Sequence, residues 1–407
     1  MRRLPTPSGD RSAILDWVAT ELAPILTNEV TASDIVGGQQ AADAALQAFD
    51  VSGYARLRNE VWPTARRGAS GLSPYIRHGL ITLRRAWDHV SQGPVDDVER
   101  FRDELRWQEY ARHLYARVGS GMGRSLRFAV EEFGSASTAQ PWQGEARCLD
   151  DSWTELTQRG WITNQQRMWL ASHWSVRHRR GWRDGEEIFF RHLLDGSRAA
   201  NRLGWQWTVG ALTGKPYGFS RWQVDKRARS LCQQCPLHQD CPIQEWPPDQ
   251  SPQPRGVADP RLRRDQQPQQ TAGPQMATVS GTAQAVWITA ESLGDEDPAL
   301  TAHPELPAIF VFDEPLLRSL RLSAQRLVFL AECLADLAGR REVQAWLGMP
   351  TQVLADIPLA ATFAPVPGWG RRAEALNLVA VHPWPWLITP GSGPVTSFTA
   401  WARQRGR

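Results

Sequence analysis

Between residues 10 and about 230, apolar positions recur at three- and four-residue spacing, the period of a helix with one buried stripe. The pattern is clearest at 14–26, 74–89, 98–117, 153–159 and 164–177, with Gly, Pro and Ser between the segments. It stops near residue 247. Residues 247–280 are rich in Pro and Gln, show no period and read as a flexible linker. Beyond the linker, short apolar runs at 285–289, 308–312, 376–381 and 386–389 read as strands, and 324–339 reads as an amphipathic helix. Strands alternating with helices predict a small parallel α/β domain. The expected fold class is therefore mainly α: a helical domain over 1–246, the linker over 247–280 and an α/β domain over 281–407.

A chain of 407 residues is long enough for two cores. No run of 18 apolar residues predicts a membrane span, and the opening Met-Arg-Arg-Leu-Pro-Thr-Pro-Ser lacks the apolar stretch of a secretory signal. These features lead to the expectation of a soluble, cytoplasmic monomer. Residues 1–247 hold 32 Lys+Arg against 28 Asp+Glu, and the remainder 14 against 15, so the small positive surplus lies in front. Only Lys215 and Lys226 are lysines; the other basic residues are Arg, whose planar fork suits phosphate. A GC-rich genome also favours Arg, so nucleic-acid contact is permitted by this bias and not demanded by it. Most of the 20 Trp belong in cores, but several cluster between 142 and 222, where redox chemistry could use them.

Three cysteines fall close together as Cys232-x2-Cys235-x5-Cys241-Pro242, with Cys148 well upstream. Four thiolates suit a [4Fe–4S] cluster or a zinc ion, and free thiols remain the third option. Disulfides do not fit an intracellular chain. Cys333 lies on an apolar helix face and reads as core.

The densest chemistry is at 195–207, Asp-Gly-Ser-Arg-Ala-Ala-Asn-Arg-Leu-Gly-Trp-Gln-Trp. An acid, an Asn six residues later and two closing Trp suit a site that holds a flat aromatic cofactor and moves electrons to it. The segment resembles the flavin-embracing core of the photolyase/cryptochrome family, DGDxxxN-x-x-GWQW, with Ser197 in place of the second Asp. The resemblance implies FAD as cofactor and a helical photolyase-type FAD-binding domain. Gly37-Gly38, Tyr54 and Arg58 resemble the entry to that domain. Gly68-Ala69-Ser70-Gly71-Leu72-Ser73-Pro74 resembles the TSxLSP loop, implying that Ser70, Leu72 and Ser73 hold the flavin phosphates. Hydroxyls and backbone N–H groups at a helix start suit a pyrophosphate; alone, the same residues would be an ordinary helix cap. Arg167 matches the family Arg that pairs with the acid at Asp195, and Asn201 matches the residue facing flavin N5. Trp205 and Trp182 match the inner two members of the light-driven electron-transfer chain. Trp142 is the sole candidate for the outer one.

Residues 104–114 resemble the ELxWREFYxHL helix, in which Glu104 would hydrogen-bond a pyrimidine dimer and Trp107 would pack on it. Three residues apart, they share one helix face. A flipped-out lesion is read by such stacking and edge contacts. Arg58, Gln108, Asn164 and Met168 complete the implied DNA-facing set, and Asn164 resembles the cyclobutane-dimer type rather than the (6-4) type, which has His there. Lys215-Pro216-Tyr217 before the cysteines resembles the bacterial iron–sulfur photolyases, implying Cys148, Cys232, Cys235 and Cys241 as ligands of a [4Fe–4S] cluster. The strands after the linker, with 286–300, 309–313 and 387–401, resemble the family's Rossmann-like antenna domain, which in the family comes first; no antenna chromophore contacts are recognisable. The implied function is light-driven, FAD-dependent repair of cyclobutane pyrimidine dimers in UV-damaged DNA, a deoxyribodipyrimidine photo-lyase. A cryptochrome-like blue-light receptor without repair activity is the alternative, and a flavin-free DNA-binding remnant a third reading.

Overall fold

The structure, a computed structural model, describes all residues except 132, 134–141, 145, 248–254, 258 and 404–407. It contains strands β1 (Arg2–Leu4), β2 (Phe128–Ala129), β3 (Arg255–Gly256), β4 (Thr278–Val279), β5 (Ala285–Ile288), β6 (Ala308–Asp313), β7 (Val343–Gly348), β8 (Leu359–Thr362) and β9 (Leu378–His382). Helices predominate elsewhere. The chain forms two compact units, neither continuous in sequence: the first is 1–50, 71–91 and 267–392, the second 51–70, 92–266 and 393–407. The expected segments 1–246, 247–280 and 281–407 do not coincide with these units.

The first unit is built on a seven-stranded sheet in the order β1-β7-β6-β5-β8-β9-β4. The five inner strands are parallel, and β1 and β4 are antiparallel edges. Strand β5 is buried along its length and β6 nearly so, as expected of parallel strands covered on both faces. The Ala324–Ala338 helix, apolar around most of its circumference, lies between β6 and β7 in sequence and packs against the Arg11–Glu21 helix. Residues 1–50 therefore join this unit: β1 extends its sheet and Arg11–Glu21 covers a flank. Gly37 and Gly38, expected at the flavin domain's entry, sit here against the same helix. Gly37 N–H donates to Glu332 Oε2 at 2.7 Å, and a Cβ on Gly37 would lie 2.3 Å from the Phe329 carbonyl.

Several expected elements differ in outline. The helix expected at 74–89 is two, Ser73–Arg77 and Leu83–His89. Gly79 separates them at φ +73°, where a Cβ would meet the Glu291 carbonyl at 2.4 Å. Residues 386–389 form no strand, because Pro383, Pro385 and Pro390 remove ladder donors around them. Within the expected linker, the described residues include β3, a turn at Pro260–Leu262, the helix Pro268–Ala272 and β4. Strands β1, β7 and β8 were not expected.

The second unit is helical. Its main elements are Tyr54–Leu57, Val95–Val118, Arg147–Arg159, Asn164–Ser172, Trp182–His192, Arg198–Thr208, Arg221–Arg227 and Phe398–Arg403. The Asn164–Ser172 helix starts at a capping box, with Thr163 and Gln166 bonding each other's backbone. It continues into a π turn, His173–Arg177, so the expected 164–177 helix changes winding in its last third. The Arg198–Thr208 helix packs against Val95–Val118, Asn164–Ser172 and Trp182–His192, which brings the candidate residues around it.

Candidate flavin and lesion site

Asp195 precedes the Arg198–Thr208 helix in a buried turn. Arg167 Nη2 donates to Asp195 Oδ2 at 2.7 Å, and Arg167 Nε donates to the Ile162 carbonyl at 3.2 Å. The expected pair is thus formed. The second oxygen, Asp195 Oδ1, is buried and has no hydrogen-bond partner among the described residues. A buried carboxylate oxygen left open in this way carries an unmet desolvation cost, which a donor from a bound molecule would remove. Ser197 takes the N-cap position of the next helix without a side-chain cap bond, and so leaves its hydroxyl outside the capping role.

Asn201 is held by a residue the sequence did not single out. Its Nδ2 donates at 2.9 Å to both the backbone carbonyl and Oε1 of Glu186, which fixes the amide's orientation. Glu186 is buried on Trp182–His192 and also pairs with Arg198 at 2.8 Å and Arg202 at 3.6 Å. Burial pushes the Glu186 carboxyl above its ordinary range, and the two Arg pull it back only in part. The signal was present as acid 186 with Arg at 198 and 202, but only the helix packing shows that they meet.

Trp205 and Trp182 are both buried in one aromatic-rich core. Gly185, one turn after Trp182, lets Trp205 lie directly on the helix backbone: a Cβ there would be 2.2 Å from Trp205 Cη2. Trp142 is fully buried, with its indole N–H on the Leu170 carbonyl at 2.9 Å. Its ring lies 5.0 Å from both Trp153 and Trp174 and 5.9 Å from Phe189. Phe189 in turn meets Trp205 edge-on at 5.0 Å. Trp142 therefore adjoins Trp205 through one intervening ring.

Tyr54, Arg58 and Glu104 form a second group. Tyr54 is buried edge-on against Phe101 at 5.2 Å, and its hydroxyl is held protonated, chiefly by burial and then by Glu104. Arg58 Nε donates to Glu104 Oε1 at 3.2 Å, so the Glu expected to face a lesion already has a cationic partner. Trp107 is 36 % exposed, and Phe398 stacks on it with centroids 4.0 Å apart and planes 8° from parallel. Gln108 lies half-buried beside it. Asn164 is exposed at the start of its helix, with Nδ2 3.6 Å from Met168 Sδ, so this pair meets as its four-residue spacing requires. His173 is fully buried against His178 and Phe219, a packing role. Ser70 ends a segment of this unit. Leu72 and Ser73 belong to the sheet-containing unit, where Leu72 is fully buried and Ser73 starts the Ser73–Arg77 helix without a side-chain cap.

Cys148, Cys232, Cys235 and Cys241 line one cavity together with Arg221, His238 and Ile243. Burial, then the neighbouring thiols, push the Cys148 thiol well up; burial and Asp225 push Cys232 up to about 12. Among the described residues, however, no three His, Cys, Asp or Glu side chains are placed to hold a metal ion. The expected metal centre is thus not formed as a set of converged ligands, although its four cysteines share one hollow. Cys333 is fully buried in the first unit, as expected of a core residue. Among the described residues, no helix is long and apolar enough to cross a membrane.

Residues 101–229 match the family defined as the FAD binding domain of DNA photolyase. Over that stretch the chain is similar to the photolyase/cryptochrome family. It is 31% identical over 240 residues to the deoxyribodipyrimidine photo-lyase of Synechococcus sp., covering 51% of this chain and 49% of that one. Against the deoxyribodipyrimidine photo-lyase of Vibrio cholerae it is 32% identical over 167 residues, 38% of this chain and 35% of that one. The solved cryptochrome of Synechocystis sp. overlaps 49% of this chain and 46% of its own at 20% identity, with a TM-score of 0.43. The chain spans about half the length, or less, of these curated relatives.

Proposed function

We propose that this protein is a light-driven, FAD-dependent DNA repair enzyme, a deoxyribodipyrimidine photo-lyase acting on cyclobutane pyrimidine dimers. The observation that supports it most is the buried Asp195 carboxylate, one oxygen on Arg167 and the other open. These residues fit a flavin: the open oxygen would accept from it, and the Arg167–Asp195 pair would set the local charge. Tyr54, Ser70 and Ser197 are the other residues of this unit proposed to hold it. When bound, reduced and excited by light, FAD supplies a single electron to the dimer.

The chain's own residues would do the rest. Trp205 and Trp182 would relay electrons that keep the cofactor reduced, and their burial excludes water from the path. Asn201, its amide turned by Glu186, would present its free carbonyl side to the cofactor. Glu104, steered by Arg58, would hydrogen-bond the flipped lesion. Trp107 would stack on it, and Gln108, Asn164 and Met168 would line the approach. The sheet-containing unit is proposed as a Rossmann-like antenna domain moved to a new place in the chain order.

The four cysteines are proposed to hold a [4Fe–4S] cluster. Four thiolates also suit a zinc ion, which remains the other candidate for these cysteines. A cluster spans a wider set of thiols, here a cavity they already share. We further propose damaged DNA as the partner and a monomeric, cytoplasmic enzyme.

One observation favours the cryptochrome-like alternative: Glu104 is already paired with Arg58, as a residue without a lesion partner would be. A spectrum of anaerobically purified protein, followed by illumination with dimer-containing DNA, separates the readings. Flavin bands with restored thymines support repair, and a broad shoulder near about 400 nm supports the cluster. Flavin that photoreduces without repair favours the receptor, and a colourless flavin region overturns both.

A further inference from the structure

Trp107 has two ring faces, and the chain itself covers one. Phe398 lies flat on it at 4.0 Å, and Tyr110 meets both rings edge-on, Trp107 at 5.7 Å and Phe398 at 5.9 Å. Phe398 arrives there by a series of anchors along one face of Val95–Val118. Arg117 Nη1 donates to the Gly393 carbonyl at 2.8 Å, Tyr110 Oη to the Val395 carbonyl at 3.0 Å, and Trp401 Nε1 to His113 Nδ1 at 2.9 Å. Positions 107, 110, 113 or 114 and 117 lie successively on one helix face, so residues 393–398 run along it to the Trp107 ring, and the Phe398–Arg403 helix returns Trp401 to His113. Tyr110, His113, Val395 and Trp401 are buried, whereas Trp107 stays 36 % exposed. Its uncovered part is what another ring could reach.

We infer that Phe398 is a positioning residue for lesion recognition: by backing Trp107 it fixes the plane on which a flipped pyrimidine stacks. The inference rests on the proposed role of Trp107. A lone exposed indole can turn about two side-chain bonds and must be ordered when a base binds. A parallel aromatic backing removes that freedom beforehand and offers the base a single open face. Stacking on aromatic rings is a recurrent source of affinity for unpaired bases. A branched aliphatic residue at 398 would fill similar space without a flat face.

The test compares equilibrium binding, in the dark, of full-length flavin-loaded protein to a dimer-containing oligonucleotide and to the same sequence undamaged. Phe398→Leu is expected to weaken dimer binding about three- to tenfold, leaving undamaged-DNA binding and the rate of flavin photoreduction unchanged. Phe398→Tyr should restore dimer affinity. Trp401→Phe, which loosens the same segment but keeps Phe398, should bind the dimer as the parent does. Wild-type affinity in F398L, with W107A impaired, overturns the inference alone. Equal losses in F398L and W401F reduce Phe398 to general packing and overturn it too. Wild-type affinity in W107A overturns the role of Trp107 and the inference with it.

Discussion

Gly185→Ala puts the packing of Trp205 to a direct test. Within a helix, Ala is favoured over Gly by about 0.5–1 kcal/mol because Gly loses more backbone freedom on folding. On propensity alone the variant would be more stable. The new Cβ, however, would lie 2.2 Å from Trp205 Cη2 and 2.6 Å from Cζ3, over 1 Å inside ordinary contact. A surface side chain could swing away. Trp205 is 2 % exposed and has Phe189 at 5.0 Å, so its ring cannot move without displacing the core. Inserting one methyl into a packed core costs about 1–3 kcal/mol, so the clash outweighs the propensity gain. A net loss of about 1 kcal/mol should lower the melting temperature by about 2–4 °C for a unit of this size. The assay is thermal unfolding followed by circular dichroism, with the near-ultraviolet signal reporting the indole environment. A melting temperature raised by Ala, with the near-ultraviolet spectrum unchanged, would refute the close packing of Trp205 on this helix.

Arg167→Ala leaves the Asp195 carboxylate buried without its 2.7 Å partner; we expect a loss of about 2–3 kcal/mol and purification without flavin, read from unfolding and absorbance. His192 titrates at about 4 in the fold because burial, then Arg191, disfavours its charge, against an ordinary 6.5. Its contribution is present above pH 6.5 and lost as pH falls towards 4, so His192→Gln should flatten that part of the stability–pH curve. Asp297, raised to about 6 by burial, behaves oppositely: its contribution is present below about pH 4 and lost as pH rises through 6. Asp297→Asn should remove that slope, though its bonds to the backbone N–H groups of Ala299 and Leu300 and to the Thr362 hydroxyl will change as well.

Contacts among the candidate residues were legible where the residues lie in contiguous motifs. Glu104 and Trp107 share a face of the Val95–Val118 helix by their three-residue spacing, and Arg167 pairs with Asp195 as the motifs implied. What the sequence hid were contacts set by packing between helices. Glu186 turns Asn201 from the preceding helix, and Phe398 reaches Trp107 from almost 300 positions away, with no local pattern announcing either. In the fold, periodicity found the Val95–Val118 and Ala324–Ala338 helices closely. It misread 386–389, where apolar residues alternate with prolines, and it ran two helices together across Gly79, whose left-handed backbone ends the first. Strand β1 was invisible because Arg-Arg-Leu has no strand signature and gains its structure only from β7.

That last pairing has a consequence for how the molecule is made. Arg2–Leu4 bonds to Ala345–Leu347, so one edge of the sheet joins residues more than 300 positions apart in sequence. During translation residues 1–50 leave the ribosome long before β7 exists. The Arg11–Glu21 helix, whose partner is Ala324–Ala338, must wait with its apolar side uncovered. Such distant closures are slow, because the entropy of the intervening loop is lost before the contact repays it. Nascent chains stalled before residue 324 should therefore recruit holding chaperones through the Arg11–Glu21 helix, and release them once the Ala324–Ala338 helix emerges.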